Sequence, residues 1–495
     1  MGKRWLARMR PAWAPWSMAR PPRCLAGLAI ARFRLQTGPE LMSISSSVNI
    51  TELIDRYPLG PLQIRIIVLC GLVALLDGFD LLVIGAAAPV MAEPLHIAPN
   101  QIGILFSAAL FGLMLGAFGL GQIADRYGRR CVLISSTASF GVFTLCTAMA
   151  GTLQQVLLFR FFAGVGLGGA MPSFISLAAE YTPRSNRQAV IGLLWTGFPL
   201  GGVMAGFLAS RLIDVVGWRS LFYIGGVLPL CLSIVLICAL PDSIEFLVMR
   251  RAASREIRDL LVLINPTVHI PSDCQFVIDG EDTRGVPVWQ LFSAGRTSGT
   301  VLLWASYFVT FLLLATSGAW TPTLLQRAGI EGARSSVAIA LFALGSVFGT
   351  PLAGFLVSRF AARRVLPVAL VGSAATFGAV GHAGQSIALV FVCLGLAGFF
   401  LGVASSGLIG LAPLLYSTAI RSTGVGWAMG LGRLGAIVGP LAIGLLVSRG
   451  WQIGDTFAAL GIPALCGALF TSLIAASRHR GAVPADRLAK GTGQK

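Results

Sequence analysis

A chain of 495 residues that is 55% hydrophobic and 12% charged, with 60 glycines and a mean hydropathy of +0.80, is far more apolar than a soluble globular protein remains. Its formal charge of +17 would suggest nucleic acid in a soluble chain, but the basic residues fall mostly in short gaps between apolar runs, where they set topology, so nucleic-acid binding is excluded. Nine cysteines without a CxxC pair and four dispersed histidines offer no metal-ligand spacing, so neither a metal nor a cofactor is expected.

Residues 1–41 are rich in Arg, Pro and Trp, with no acid before Glu40, a composition like that of an organellar transit peptide. The polar lead-in from Met42 suits a cytoplasmic tail, so the prefix reads as an upstream extension outside the native protein and residues 1–63 as the tail. Twelve apolar runs follow, each near the roughly 20 residues that a spanning helix needs. The first set covers 64–91, 101–124, 131–150, 155–178, 188–212 and 219–240; the second covers 300–325, 334–357, 365–382, 386–411, 423–447 and 456–476. This predicts an all-α membrane protein: a six-helix bundle at 64–240, a cytoplasmic linker at 241–297, a second bundle at 298–477 and a tail at 478–495.

Loop charges orient the bundle. "DRYGRR", "PRSNR", "RRAASREIR" and "SRFAARR" follow the even-numbered spans two to eight, whereas "AEPLHIAPN" and "AGTLQQ" carry no Lys or Arg. Because Lys and Arg are retained on the cytoplasmic side, both termini are expected inside. The two sets also repeat. "AGVGLGGAMPSFISLA" at Ala163 is answered by "AGFFLGVASSGLIGLA" at Ala397, and "GQIADRYGRR" at Gly121 by "GFLVSRFAARR" at Gly354, an offset of about 234 residues.

Gly121, Asp125, Arg126, Gly128, Arg129 and Arg130 in the first of those loops, and Arg160, Gly164, Gly166 and Gly168 in span four, resemble the two signatures of the major facilitator superfamily. With "DGFD" in span one and "GVGWAMGLGRLGAIVGP" in span eleven, the chain resembles its aromatic acid:proton symporter branch over nearly everything after Met42. The resemblance implies uptake of a small aromatic carboxylate such as 4-hydroxybenzoate, protocatechuate or benzoate, with protons, across a bacterial inner membrane by a monomer. Transport of another organic acid and efflux by antiport are the rival readings. No HExxH, GxSxG or GxxxxGK[ST] is present, and no enzyme is expected.

Each charge inside the bilayer requires a reason, since an ionised Asp at the centre costs roughly 2.5–3.5 kcal/mol on insertion scales. Asp77 and Asp80, three apart on one helical face, suggest a shared proton titrating as a pair; the branch's acidic motif coincides with them. They could equally bind a cation such as Arg160 to hold helices together. Arg160, near the outer end of span four, is either part of the coupling or a side chain reaching to the headgroups. Glu180 joins the coupling set through the family pattern, or is a surface pair with Arg184 and Arg187.

Arg433, mid-span among glycines, can present its planar fork to a substrate carboxylate, or pair with Asp77 or Asp80. Tyr307, Phe311, Trp195 and Trp427 could stack on an aromatic ring, and Trp320 reads as an interfacial anchor. Arg421 is assigned to gating. Asp125 beside Arg126, Arg129 and Arg130 is expected to form a latch that exists in only one rocking state. By the offset, Asp77 and Asp80 fall on Phe311 and Leu314, Arg160 on Leu394 and Pro199 on Arg433, so proton chemistry is expected in the first half and the substrate's cation in the second.

Overall fold

Twelve helices long and apolar enough to cross a membrane run through the computed structural model, which describes residues 47–250, 254–264, 275–277, 288–293, 296–330, 332–383 and 386–481. Residues 1–41 and 482–495, and with them the expected prefix and most of the tail, lie outside the described residues. Met1–Val48 and Asn49–Lys495 are two units, and only the second is treated below.

The first six helices are α1 (Pro61–Ala92), α2 (Pro99–Tyr127), α3 (Arg129–Met149), α4 (Leu153–Glu180), α5 (Arg184–Leu212) and α6 (Arg219–Ala239). The second six are α7 (Thr297–Arg327), α8 (Ala333–Phe360), α9 (Ala362–His382), α10 (Ile387–Leu415), α11 (Thr418–Ser448) and α12 (Ile453–Gly481). Several run past the apolar stretch that marks them: α2 continues beyond Ala124 to Tyr127, and α4 beyond Ala178 to Glu180. Hydropathy registers only the lipid-buried part, whereas backbone hydrogen bonding carries a helix on into the polar interface. Between α6 and α7 lie two short helices, Ile244–Met249 and Ser254–Ile264, and a 3-10 turn at Val288–Phe292.

One packing scheme occurs twice. α2 lies on α4 as α8 lies on α10, α1 on α5 as α7 on α11, and α3 on α6 as α9 on α12. Lipid supplies no hydrophobic drive between helices, so close contact depends on small residues. Gly112 and Gly116 of α2 lie against the backbone at Phe161 and Val165, and Gly345 and Gly349 of α8 against that at Gly395 and Phe399; a Cβ at any of the four would collide. The α2–α3 and α8–α9 corners repeat as well, with Gly128 at φ +95° and Ala361 at φ +63°.

These contacts refine the internal alignment. Gly201 approaches Leu75 as Gly435 approaches Phe308, and Gly85 meets Gly318 where α1 and α7 face each other. The offset for α1 and α7 is therefore one residue shorter than for α4 and α10. Asp77 and Asp80 match Thr310 and Leu313, not Phe311 and Leu314, while Arg160 still matches Leu394.

The halves touch at the face opposite the basic loops and part at the basic face. At the far ends, the Ser107 hydroxyl donates to the Ile437 carbonyl at 2.8 Å, and the Ala333 amide donates to Asp214 at 3.1 Å. There too a Cβ on Gly103 would lie 2.7 Å from the Pro440 carbonyl oxygen, and one on Gly206 would lie 2.5 Å from the Ala340 nitrogen. At the basic ends, Asp125, Arg126 and Arg421 are exposed, and a Cβ on Gly121 or Gly354 would meet nothing within 4 Å. The molecule is open toward the basic loops and closed on the other side.

Candidate functional site

Where the halves diverge, a central cavity is lined by α1, α2, α4 and α5 of the first half and α7, α8, α10 and α11 of the second. Its volume is about 160 Å³, below the roughly 300–1,000 Å³ of sites for drug-sized ligands, so it suits a one-ring molecule. Two charged side chains line it, Asp77 and Arg433, among aromatic and aliphatic groups that include Phe106, Trp195, Phe198 and Phe311.

Arg433 makes no ion pair among the described residues, contrary to the expected alternative of pairing with Asp77 or Asp80; its guanidinium donates to the Met171 sulfur at 3.6 Å. Asp77 is close enough to interact with it electrostatically, and one Asp77 oxygen is buried without a hydrogen-bond partner. A thioether is a weak acceptor, so most of the five guanidinium donors have no partner among the described residues. The cavity thus presents an unsatisfied cation within reach of an unsatisfied carboxyl group, in apolar surroundings that strengthen both interactions.

Asp80 has a different environment. Its Oδ1 accepts from Arg160 at 2.9 Å and from the Thr144 hydroxyl at 2.5 Å. Arg160 also donates to the Asp80 carbonyl at 2.8 Å, and its guanidinium lies 6.0 Å from the centre of the Phe222 ring. Both charged side chains are 0% exposed. The group joins α1, α3, α4 and α6, so Arg160 does not extend to the headgroups. No hydrogen bond joins Asp77 to Asp80 among the described residues, so the two interact only through their fields and not through a proton held between them in this structure. Three residues of α-helix leave about 60° between side chains, enough to turn Asp77 to the cavity and Asp80 into the first half.

The other expected ring-stacking residues separate. Trp195 and Phe311 line the cavity. Tyr307 does not: it is buried behind Phe311, stacked on it at 5.9 Å, with its hydroxyl donating to the Leu408 carbonyl at 3.1 Å. Trp427 is also absent from the cavity wall; 47% exposed, it stacks on Trp304 at 5.9 Å. Trp320 is no interfacial anchor, being buried with its indole N–H donating to the Pro440 carbonyl at 3.0 Å and its ring edge-on to Phe106. Hydropathy could not separate these cases, because an aromatic ring looks alike facing lipid, cavity or protein.

At the basic face the signature loop is engaged by the end of α4 and by the start of the linker after α6. Arg129 pairs with Glu180 and, at 2.6 Å, with Glu245. The Ser243 hydroxyl donates to Glu180 at 2.5 Å, and Arg130 reaches Asp242 at 3.3 Å and the Ile237 carbonyl at 2.8 Å. Glu180 is therefore neither in the central cavity nor a surface partner of Arg184; it anchors the loop arginine because α4 ends beside the start of α3. Asp125, the expected acid of the latch, makes no ion pair among the described residues, and Arg126 rests on the Tyr127 ring at 5.7 Å. Asp242, Ser243 and Glu245 were hidden inside the linker, although the acid-rich "PDSIE" beside a basic loop was a usable charge signal. Thr144 gave no signal in the sequence.

Residues 70–339 and 303–492 match the Major Facilitator Superfamily. The chain is 34% identical over 424 residues to the 4-hydroxybenzoate transporter PcaK of Pseudomonas aeruginosa, an alignment covering 84% of this chain and 93% of that protein. It is 33% identical over 438 residues to the benzoate transport protein of Acinetobacter baylyi, covering 87% and 93%. The inward-open xylose transporter XylE from E. coli superposes with a TM-score of 0.64 at 17% identity, over 83% of this chain and 95% of that one, a likeness of fold.

Proposed function

Because the chain belongs to the major facilitator superfamily, we propose that it takes up a small aromatic carboxylate, of the kind named for its relatives, together with protons, by exposing the central cavity to each side of the membrane in turn. The observation that carries this reading is Arg433, without an ion pair among the described residues, beside Asp77 in a cavity of one-ring size walled by Trp195, Phe198 and Phe311. Arg433 holds the substrate carboxylate through its planar fork. The aromatic walls take the ring.

Asp77 carries the proton. With its carboxyl ionised it competes with the substrate for the guanidinium field; protonated, it leaves Arg433 to the substrate. Each ligand thus alters the other's affinity through one shared cation. Energetically the proton is needed, because an anion moving toward a negative interior loses about 2.3 kcal/mol per 100 mV. One proton cancels that loss, and a second lets the potential drive uptake.

By the positive-inside rule, the open, basic face is cytoplasmic and both termini lie there, in a bacterial inner membrane. Asp125 and Arg421, exposed at the mouth, belong to contacts that form when this face closes; Gly121 supplies the bare helix surface they close on. One chain supplies the cavity lining, and the monomer is taken as the transporting unit.

Reconstituted vesicles with an inward proton gradient should concentrate labelled benzoate, 4-hydroxybenzoate, protocatechuate or gallate, with alkalinisation outside on its addition. No accumulation of any of the four, and no proton movement, overturns the proposal.

A further inference from the structure

The cavity has a hydroxyl-bearing side that the scaffold explains only in part. Ser346 and Thr350 of α8 and Ser405 and Ser406 of α10 all line it. Two of these hydroxyls are used internally: Ser346 donates to the Gly398 carbonyl at 2.8 Å and Ser405 to the Gly402 carbonyl at 3.2 Å. Thr350, only 8% exposed, and Ser406 have no hydrogen-bond partner among the described residues. Neither hydroxyl oxygen is among the sealed-off unpartnered polar atoms, so both face the cavity with their bonding capacity available to a molecule that enters it.

Helix geometry brings these two groups together. Ser346 and Thr350 are one turn apart on α8, as Gly402 and Ser406 are on α10. A Cβ on Gly402 would lie 3.0 Å from the Ser346 Cα and 3.3 Å from the Thr350 nitrogen. The bare backbone at Gly402 thus lets α10 press onto α8 at the turn from which Thr350 and Ser406 project.

The first half is the internal control. The helix pair α2 and α4 crosses through the same glycine pattern, yet the matching residues are Leu113, Ala117, Met171 and Pro172. Leu113 and Met171 line the cavity from their side and are apolar. Packing of this helix pair needs no hydroxyls at these positions, and Thr350 and Ser406, unlike Ser346 and Ser405, make no bond to the α8–α10 scaffold among the described residues.

We propose that Thr350 and Ser406 hydrogen-bond a hydroxyl substituent on the ring of the bound acid, so that the cavity selects hydroxylated one-ring carboxylates over those with an apolar substituent. This rests on the reading above, in which Arg433 takes the carboxylate. A hydroxyl can both donate and accept, so threonine and serine together can satisfy a phenolic O–H without a charge. An apolar group of the same size leaves both protein hydroxyls unmatched.

The test compares 4-hydroxybenzoate, 4-methylbenzoate and benzoate as ligands of the full-length purified protein, by direct binding. The native protein should prefer the hydroxy acid to its methyl counterpart about tenfold, the size of a neutral hydrogen bond. Thr350→Val and Ser406→Ala should each erase most of that preference by weakening 4-hydroxybenzoate alone. Thr350→Ser, which restores the hydroxyl, should keep it. Equal binding of the hydroxy and methyl acids by the native protein, or a parallel loss of all three in Thr350→Val with no rescue in Thr350→Ser, overturns this inference and leaves the carboxylate site standing. Failure of the native protein to bind any of the three overturns both.

Discussion

Where the first half buries Asp80, Thr144 and Arg160 as one hydrogen-bonded cluster, the second half buries Leu313, Phe377 and Leu394 at the matching positions. The helices around both clusters pack alike, through the same glycine contacts and the same corner before the third helix. A six-helix bundle of this design therefore closes well without charge. Since each ionised group at mid-membrane costs roughly 2.5–3.5 kcal/mol on insertion scales, the first-half cluster is an addition to the scaffold and not a condition of it. At the cavity wall the asymmetry reverses: Arg433 and the hydroxyls belong to the second half, opposite Pro199, Leu113 and Met171 of the first.

The comparison can be broken most sharply at Asp77, the one first-half charge that reaches the cavity. Asp77→Asn should abolish accumulation driven by a pH gradient while leaving exchange of labelled for unlabelled substrate in place. Uptake against a concentration gradient by that variant would remove Asp77 from the coupling. Asp80→Leu or Arg160→Leu alone strands a buried charge and should cost about 3–5 kcal/mol of stability. The double replacement, which copies the second half, should recover most of it in a thermal melt in detergent, yet fail to couple transport to protons. Full coupling by the stable double variant would reduce the cluster to packing.

On the other side of the comparison, Arg433→Ala should weaken carboxylate binding roughly 10- to 100-fold, the range of a charge-assisted hydrogen bond, and Arg433→Lys less, because the charge stays but the fork is lost. Direct binding measurements decide it. The smallest effect is expected at the corner where the halves differ by one methyl group. Ala361 holds φ +63° and ψ +143° where its counterpart is Gly128, a conformation close to the region that only glycine enters freely, so Ala361→Gly should raise the melting temperature, with a gain of about 1 kcal/mol. A lower melting temperature would mean that the Ala361 methyl contributes more than its backbone costs.

Much of the fold was legible because a bilayer imposes simple demands. Twelve long apolar runs, basic residues concentrated on one side and a repeated glycine pattern each follow from burial in lipid, and each can be read without contacts. The site was legible in part. Asp77, Asp80, Arg160 and Arg433 stood out as charges in apolar runs, but their partners did not: i, i+3 spacing suggested that the two aspartates act together, and helix rotation sends them to different neighbours. Glu180 stood out too, and its partner proved to be Arg129, far away in sequence. Tyr307 and Trp427 failed as ring-stacking candidates because which way an aromatic points is fixed by the neighbouring helix.

The amino-acid sequence by itself determined that this chain crosses a membrane twelve times in two related halves, and which few residues carry charge there, since hydropathy and periodicity are local properties. Only the tertiary structure decided that Asp80 is bound to Arg160 while Asp77 faces Arg433 across a cavity, that the cavity opens toward the basic loops, and that Thr350 and Ser406 line it without a partner among the described residues. Those facts depend on how helices rotate and tilt against one another, and backbone approach at glycines sets that only when all the helices are in place.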